Sequence, residues 1–193
     1  GLLKAITDLG FTTPSDIQAE AIPVALNGQD IIGQAQTGTG KTAAFGLPML
    51  NNITNRKAIS SIILAPTREL AIQVHDELVK LAKYEKLNVV AVYGGAPIHN
   101  QIRDIKKANI VVGTPGRVLD HIRRGTLPLD SVEFLVLDEA DEMLNMGFID
   151  DMEEIMKDLD AAMLAALRQT NGFVLSEGKP LDPERKAASE DIL

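Results

Sequence analysis

The chain has 193 residues, 45% of them hydrophobic, with no cysteine and a formal net charge of −8. This length suits one compact domain, and the ordinary hydrophobic content indicates a folded globular protein. The lack of cysteine excludes disulfides and thiolate metal sites, and the negative charge argues against a broad basic face for nucleic acid. No apolar run has the length of a membrane span, so we expect a cytoplasmic protein without membrane association.

The first part of the chain predicts helices around a short strand. Apolar spacing and stop signals predict the helices Leu2–Leu9, Asp16–Leu26 and Thr42–Leu50. The apolar pair Ile31-Ile32 predicts a strand that runs into a glycine-rich turn, Ala35–Thr42, with the sequence Ala-Gln-Thr-Gly-Thr-Gly-Lys-Thr. The turn therefore lies between a strand and a helix, as phosphate-binding turns do.

This turn has the chemistry of phosphate binding. Its glycines let backbone N–H groups point inward at phosphate oxygens, Lys41 adds a positive charge, and the Thr42 hydroxyl can ligate Mg²⁺. The generic pattern has glycine at the first position, where this chain has Ala35. A glycine-rich turn that binds nothing is the alternative. The predicted nucleotide contacts of the turn are Gln36, Thr37, Gly38, Thr39, Gly40, Lys41 and Thr42.

The rest of the chain alternates strands with helices. The predicted strands are Ser61–Ala65, Val89–Tyr93, Ile110–Val112 and Glu133–Leu137. The predicted helices between them are Arg68–Lys83, Pro97–Lys107 and Arg117–Arg124. This alternation predicts an α/β fold with an open parallel sheet and helices on both faces. Ligands bind at the carboxyl ends of strands in such sheets, so the loops there should converge on one edge.

A second chemical motif follows the last of these strands. The apolar run up to Leu137 ends in Asp138-Glu139-Ala140-Asp141. A carboxylate at the tip of a buried strand, here Asp138, is well placed to hold Mg²⁺, mainly through water. Glu139 could orient and deprotonate an attacking water. With Lys41 at the phosphates and Asp138 at Mg²⁺, the three predicted catalytic residues are Lys41, Asp138 and Glu139. The alternative is that the acidic run only caps the start of the next helix.

Four further segments accompany these two motifs: Gly10-Phe11-Thr12-Thr13-Pro14, Pro66-Thr67-Arg68-Glu69-Leu70-Ala71, Gly94-Gly95 and Thr114-Pro115-Gly116-Arg117. Taken together, the motifs and segments closely resemble the first RecA-like domain of DEAD-box RNA helicases. The match covers residues 1–159. The resemblance implies a RecA-like P-loop fold and the cofactors ATP and Mg²⁺. It also implies that Gln18 reads the adenine edge, for which an amide is suited because it donates and accepts, and that Phe11 packs against the base.

The resemblance also implies sequence-independent binding to the sugar-phosphate backbone of RNA. The residues implied are Pro66, Thr67, Arg68, Gly94, Gly95, Thr114 and Arg117. In the full-length enzyme, a second RecA-like domain would supply an arginine finger for RNA-dependent ATP hydrolysis and duplex unwinding. We therefore expect this chain alone to be nearly inactive. The alternatives are a stand-alone regulatory nucleotide- and RNA-binding module derived from a helicase half, and an unrelated P-loop NTPase, which the matching motifs disfavour.

From about residue 160 the chain departs from the family, because it lacks the expected Ser-Ala-Thr element. In the family that strand fills a central slot between the phosphate-turn strand and the acidic-motif strand. An empty slot would leave buried backbone groups unpaired, at about 1–3 kcal/mol each. We predict that Phe173–Ser176 fills it, that Ala161–Leu167 is helical, and that 1–193 form a single domain. We also predict that Asp141 takes part in interdomain coupling, and that Ser176 lies near Asp141 and shares this role.

Three histidines lie apart in the sequence, at His75, His99 and His121. Their spacing does not match that of metal ligands. We expect them to be ordinary surface or helix residues.

Overall fold

The computed structural model describes residues 1–36, 38–166 and 171–176. Its helices are α1 (Leu2–Asp8), α2 (Asp16–Leu26), α3 (Lys41–Asn52), α4 (Arg68–Leu81), α5 (Ile98–Ile105), α6 (Pro115–Arg123), α7 (Ala140–Asn145) and α8 (Ile149–Ala166). Its strands are β1 (Ile31–Gln34), β2 (Ser61–Leu64), β3 (Val89–Val92), β4 (Ile110–Gly113), β5 (Phe134–Leu137) and β6 (Asn171–Ser176).

The strands form one sheet in the order β1-β6-β5-β2-β4-β3. Every neighbouring pair is parallel. The predicted α/β class with an open parallel sheet is therefore confirmed. Because all strands point the same way, the loops that follow them emerge at one edge, which we call the carboxyl edge.

Helices cover both faces of the sheet, as the sequence predicts. Successive residues of β2 alternate between two buried clusters, because side chains along a strand point to opposite faces. Ile63 joins a cluster with Phe45 of α3 and Leu78 of α4. Ile62 and Leu64 join the cluster on the other face. That second cluster contains Ile105 of α5, Val118 of α6, Met143 of α7 and Ile155 of α8.

The boundaries of most elements agree with the sequence predictions to within two residues. Helix α6 begins at Pro115, two residues before the predicted start at Arg117. Thr114 precedes it in an extended conformation and is its N-cap. Proline is favoured in the first turn of a helix because its missing N–H would have no partner there.

Strand β6 lies between β1 and β5 and is parallel to both. The prediction that Phe173–Ser176 fills this slot is confirmed, and its Cα register places Val174 opposite both Ile32 and Leu137. The slot is not central, however, since β1 is an edge strand and Ile32 is 65% exposed. The predicted helix over Ala161–Leu167 belongs to α8 as far as Ala166, and Leu167 lies outside the described residues.

Candidate functional site

The strand order divides the carboxyl edge into two halves. The phosphate-turn half follows β1, β6 and β5 and contains the turn at Ala35–Thr42 and the acidic motif at Asp138–Asp141. The arginine half follows β2, β4 and β3 and contains Arg68, Gly94-Gly95 and Arg117. The two groups of motifs predicted from the sequence therefore lie side by side on one edge.

The conformation of the turn explains why it contains glycine. Gly38 and Gly40 have positive φ angles of 81° and 82°, which glycine adopts without steric cost. A Cβ atom at Gly40 would lie 2.2 Å from Nε2 of Gln18, so a side chain there would also displace that residue. The Thr39 hydroxyl donates to the Gln36 carbonyl at 2.6 Å. Thr37, predicted to contact the nucleotide, lies outside the described residues.

A buried ion pair joins the turn to the acidic motif. Lys41 Nζ donates to Glu139 Oε1, and both side chains are only 9% exposed. Each charge offsets the cost of burying the other. Glu139 has a φ of 54°, a left-handed conformation that is uncommon for a residue with a side chain and concentrates at functional sites. The structure thus brings together two of the three predicted catalytic residues.

The third, Asp138, is a buried carboxylate with an unused oxygen. It is 6% exposed, and within the described residues its Oδ1 atom has no hydrogen-bond partner. Burial raises the pKa of Asp138 to about 6, which the Lys41 ammonium partly offsets and the Glu139 carboxylate reinforces. Asp138 lines a pocket of about 80 Å³ together with Lys41, Thr42, Glu139 and Glu77.

This donor set fits a hydrated Mg²⁺ ion. A buried carboxylate oxygen without a partner and the Thr42 hydroxyl line one small pocket, and both are oxygen ligands of the kind that Mg²⁺ prefers. In the described part of the chain, no group of three or more His, Asp or Glu residues is placed to hold a metal. Mg²⁺ does not need such a cage, because it usually keeps several of its waters.

An apolar pocket of about 190 Å³ lies between α1, α2 and α3. It is lined by Ile6, Phe11, Thr12, Thr13, Pro14, Gln18, Ile22 and Leu47. Phe11 is 46% exposed, which leaves part of its ring available to a ligand. The pocket has the mainly apolar lining and few polar groups that are typical of small-molecule sites.

Gln18 connects this pocket to the phosphate turn. Its Oε1 accepts from the Ser15 backbone N–H at 3.1 Å, and its Nε2 donates to the Gly40 carbonyl at 3.2 Å. A primary amide can accept twice at oxygen and donate twice at nitrogen. With these two contacts made, Gln18 retains one acceptor site and one donor for a ligand.

The arginine half contains two helix starts. Thr67 is the N-cap of α4, and its Oγ1 accepts from the Leu70 N–H at 3.2 Å. Thr114 is the N-cap of α6. Both helices begin directly after a strand, so their N-terminal N–H groups lie at the carboxyl edge, where they can bind anions. Gly94 and Gly95 after β3 are exposed, whereas Pro66 is buried.

Both predicted arginines contact other parts of the arginine half. The Arg68 guanidinium lies over the Tyr93 ring, 4.8 Å from its centroid. Nη1 of Arg117 donates to the Ala96 carbonyl and to Gln101 Oε1, each at 3.0 Å. Neither arginine is an isolated surface charge.

Sequence reasoning missed Gln101 and His121. Gln101 is 6% exposed, and His121, expected to be an ordinary surface or helix residue, is helical but completely buried. One signal was present for Gln101, which occupies a position in the apolar spacing of Ile98 and Ile105. A polar side chain on the buried face of a helix needs a hydrogen-bond partner.

The predicted coupling pair is only partly described. Asp141 is buried, and its Oδ1 accepts from the Glu142 N–H at 3.1 Å. Ser176 is the last residue of β6, but its side chain lies outside the described part of the structure. Their coupling stays a prediction. Among the described helices, none is long and apolar enough to cross a membrane.

Comparisons with known proteins agree with this arrangement. A profile of the DEAD/DEAH box helicase family matches residues 15–175. The chain is 52% identical over 189 residues to the DEAD-box ATP-dependent RNA helicase CshA of Bacillus cereus, covering 97% of this chain and 34% of that protein. It is 59% identical over 162 residues to the ATP-dependent RNA helicase CshA of Listeria monocytogenes, covering 83% and 31%. The chain therefore spans about a third of the length of these relatives.

A solved structure shares the fold. The DEAD box protein of Methanococcus jannaschii matches with a TM-score of 0.84 and 45% identity, over 99% of this chain and 50% of that one. The residues matched by the family profile include the phosphate turn, the acidic motif and both arginines. The chain belongs to the DEAD/DEAH box helicase family.

Proposed function

We propose that this chain is the ATP- and RNA-binding N-terminal domain of a DEAD-box RNA helicase. The observation that carries the proposal is the buried contact between Lys41 and Glu139, which joins the phosphate turn to the acidic motif. In the full-length protein, ATP hydrolysis stimulated by RNA would drive duplex unwinding. A second RecA-like domain would complete the site with an arginine finger, a group worth about 10³–10⁵ in rate. The location that suits this function is the cytoplasm.

The nucleotide would lie across the phosphate-turn half. Its base would enter the apolar pocket beside Phe11, and the remaining donor and acceptor of Gln18 match the edge of adenine. Its phosphates would accept hydrogen bonds from the backbone of the turn and from the start of α3. Lys41 would then turn from Glu139 to the terminal phosphate.

Thr42 and Asp138 would hold Mg²⁺, Asp138 mainly through water. The ion supplies positive charge that offsets the charge of the phosphates. Glu139, released from Lys41 by the phosphate, would orient the attacking water and accept its proton. Because Glu139 is buried, few other water molecules would compete with the attacking water for its carboxylate.

RNA would bind along the arginine half through its sugar-phosphate backbone. The exposed glycines, the helix starts at Thr67 and Thr114, and the two arginines supply donors that contact phosphate without reading the base sequence. A local site of this kind explains how a chain with a net charge of −8 can bind a polyanion.

Calorimetric titration with ADP and GDP in the presence of Mg²⁺ tests the nucleotide assignment. We expect an ADP dissociation constant of about 0.1–1 mM for this chain and at least about tenfold weaker binding of GDP. Gln18→Leu should remove that preference, whereas Gln29→Leu, at an exposed position outside the pocket, should keep it. Equal affinity of the unaltered chain for both nucleotides would contradict adenine recognition.

A further inference from the structure

A buried hydrogen-bond network lies behind Arg117. We call it the Gln101 network; its residues are Tyr93, Gln101, Arg117, His121 and Thr126. It connects the loop after β3, helix α5 and helix α6, which are separate in the sequence. Buried polar groups are costly unless they are paired, so a network of this kind fixes the elements that contribute to it.

Gln101 is the centre of the network. Its Nε2 donates to the Tyr93 carbonyl at 2.9 Å, which fixes the orientation of the amide. Its Oε1 then accepts from Arg117 Nη1 and from His121 Nε2, each at 3.0 Å. An amide oxygen has two lone pairs, and both are used here. The amide group of Gln101 is therefore held at both its nitrogen and its oxygen.

His121 stabilises this arrangement through its hydrogen bond to the Gln101 oxygen. The Gln101 oxygen can only accept, so His121 Nε2 must carry the hydrogen. In the neutral ring Nδ1 is then an acceptor, and the Thr126 hydroxyl lies 2.8 Å from it and 3.1 Å from the His121 backbone carbonyl, so these two acceptors share the one hydroxyl hydrogen. His121 is fully buried, so this neutral tautomer faces Gln101 without competition from water.

The network leaves much of the Arg117 guanidinium available. Among the described residues, its hydrogen bonds to Ala96 and Gln101 both use Nη1. The side chain is half-buried, so its other N–H groups can donate to a ligand at the carboxyl edge. An arginine that is already held in place loses less conformational freedom when it binds.

We propose that Gln101 is a positioning residue that holds the Arg117 guanidinium for contact with an RNA phosphate. The inference rests on the proposed RNA-binding function of the arginine half. Gln101 also anchors the Tyr93 carbonyl, and the ring of Tyr93 lies under Arg68. The same buried amide thus contacts Arg117 directly and the backbone of the residue whose ring lies under Arg68.

Equilibrium binding of a fluorescein-labelled oligouridylate to the chain at low salt measures the effect. Gln101→Leu removes the anchor and should weaken binding about tenfold. Gln101→Glu keeps an acceptor for Arg117 but loses the donor to the Tyr93 carbonyl, so it should weaken binding less than Gln101→Leu does, by about threefold. Gln29→Leu makes the same change at an exposed position outside the network and should have no effect. Circular dichroism verifies that each variant is folded.

A double-mutant cycle asks whether Gln101 acts through Arg117. In an Arg117→Met background, Gln101→Leu should weaken RNA binding by no more than about twofold, because the guanidinium that Gln101 contacts directly is gone. If the losses of affinity in the two single variants multiply in the double variant, Gln101 stabilises the fold in general and does not act through Arg117. That result would overturn the proposal. Equal losses for Gln101→Leu and Gln101→Glu would overturn it as well.

A spectroscopic measurement separates this inference from the proposed function. In ¹⁵N spectra of the arginine side chains, the Nη groups of Arg117 should give distinct signals in the unaltered chain and averaged ones in Gln101→Leu. An unaltered chain that shows the distinct signals without binding RNA would overturn the RNA-binding function but keep the positioning of Arg117. Averaged Arg117 signals in the unaltered chain would overturn the positioning whatever the RNA affinity.

Discussion

At the scale of single residues, the pair of Lys41 and Glu139 constrains how the site can be tested. Both side chains are buried, and each charge offsets part of the cost of burying the other. A substitution that takes away one partner changes the stability of the fold as well as the chemistry of the site. Loss of nucleotide binding in a Lys41 variant therefore has no clear meaning until its stability is known.

We predict that Lys41→Met and Glu139→Gln each lower the free energy of unfolding, and that the double variant loses less than the sum of the two. Breaking a buried ion pair costs about 3–5 kcal/mol because it leaves a charge without compensation, and removing both charges avoids that cost. Urea denaturation of the four proteins provides the measurement. Additive losses would show that the two charges do not depend on each other.

His121 gives a prediction about pH. Burial, reinforced by the Arg117 charge, lowers its pKa from the ordinary 6.5, while Asp120 acts in the opposite direction and Arg124 adds to the lowering. Below pH 6.5 the unfolded chain binds a proton at this residue and the folded chain does not. The stability that comes from neutral His121 is thus complete above pH 6.5 and is lost as the pH falls.

Comparison of the unaltered chain with His121→Gln isolates this effect. Between about pH 7.5 and about pH 5.5, the unaltered chain should lose about 1 kcal/mol more stability than His121→Gln. Protonation of Asp138 in the same range stabilises the fold, but it is common to both proteins and cancels. His99→Gln, at an exposed histidine, should follow the unaltered chain. Identical pH profiles for the chain and His121→Gln would contradict a buried neutral histidine.

The residues that could be predicted are those whose chemistry is local in the sequence. Lys41 follows its glycines directly, and Asp138 and Glu139 end an apolar strand, so their types and spacing indicate their surroundings. Gln101 and His121 lie 20 residues apart on two helices. Their partnership depends on how those helices pack, which no local pattern specifies.

At the scale of elements, β6 shows what hydrogen-bond accounting can predict. The resemblance implies a strand between β1 and β5, and the need to pair the backbone groups of those neighbours predicts that Phe173–Ser176 fills this slot although its sequence departs from the family. Accounting of this kind could not predict that β1 is at the edge of the sheet, because the order of strands depends on the whole set of crossovers. Asp30, just before β1, also contacts this strand and accepts from the Gly172 N–H at 2.8 Å.

Amide hydrogen exchange tests the position of β6. Val174 is paired with β1 on one side and β5 on the other, so its backbone amide should exchange about as slowly as that of Val136 in β5. Ile32 in the exposed edge strand is the internal control and should exchange faster. Asp30→Ala should speed exchange at the start of β6 more than at Val136. Rapid exchange at Val174 in the unaltered chain would contradict a paired interior strand.

At the scale of the whole molecule, charge and topology together constrain the proposed binding of RNA. A net charge of −8 repels a polyanion at long range, whereas the strand order gathers Arg68 and Arg117 in one half of the carboxyl edge. Binding would then use few phosphate contacts, supplemented by uncharged donors at helix starts and glycines. The dependence of affinity on salt distinguishes this mode from a broad basic surface.

We predict a shallow salt dependence for single-stranded RNA. Each phosphate neutralised on a single strand contributes about −0.7 to the slope of log K against log salt concentration, so two arginines give about −1.4. Arg117→Met should bring the slope to about −0.7. Arg56→Met is the matched control, because Arg56 precedes β2 at the opposite edge of the sheet and pairs with Glu85, and it should leave the slope unchanged. A slope of about −3 or steeper in the unaltered chain would require twice as many cations as the arginine half contributes, and would place RNA on a different surface.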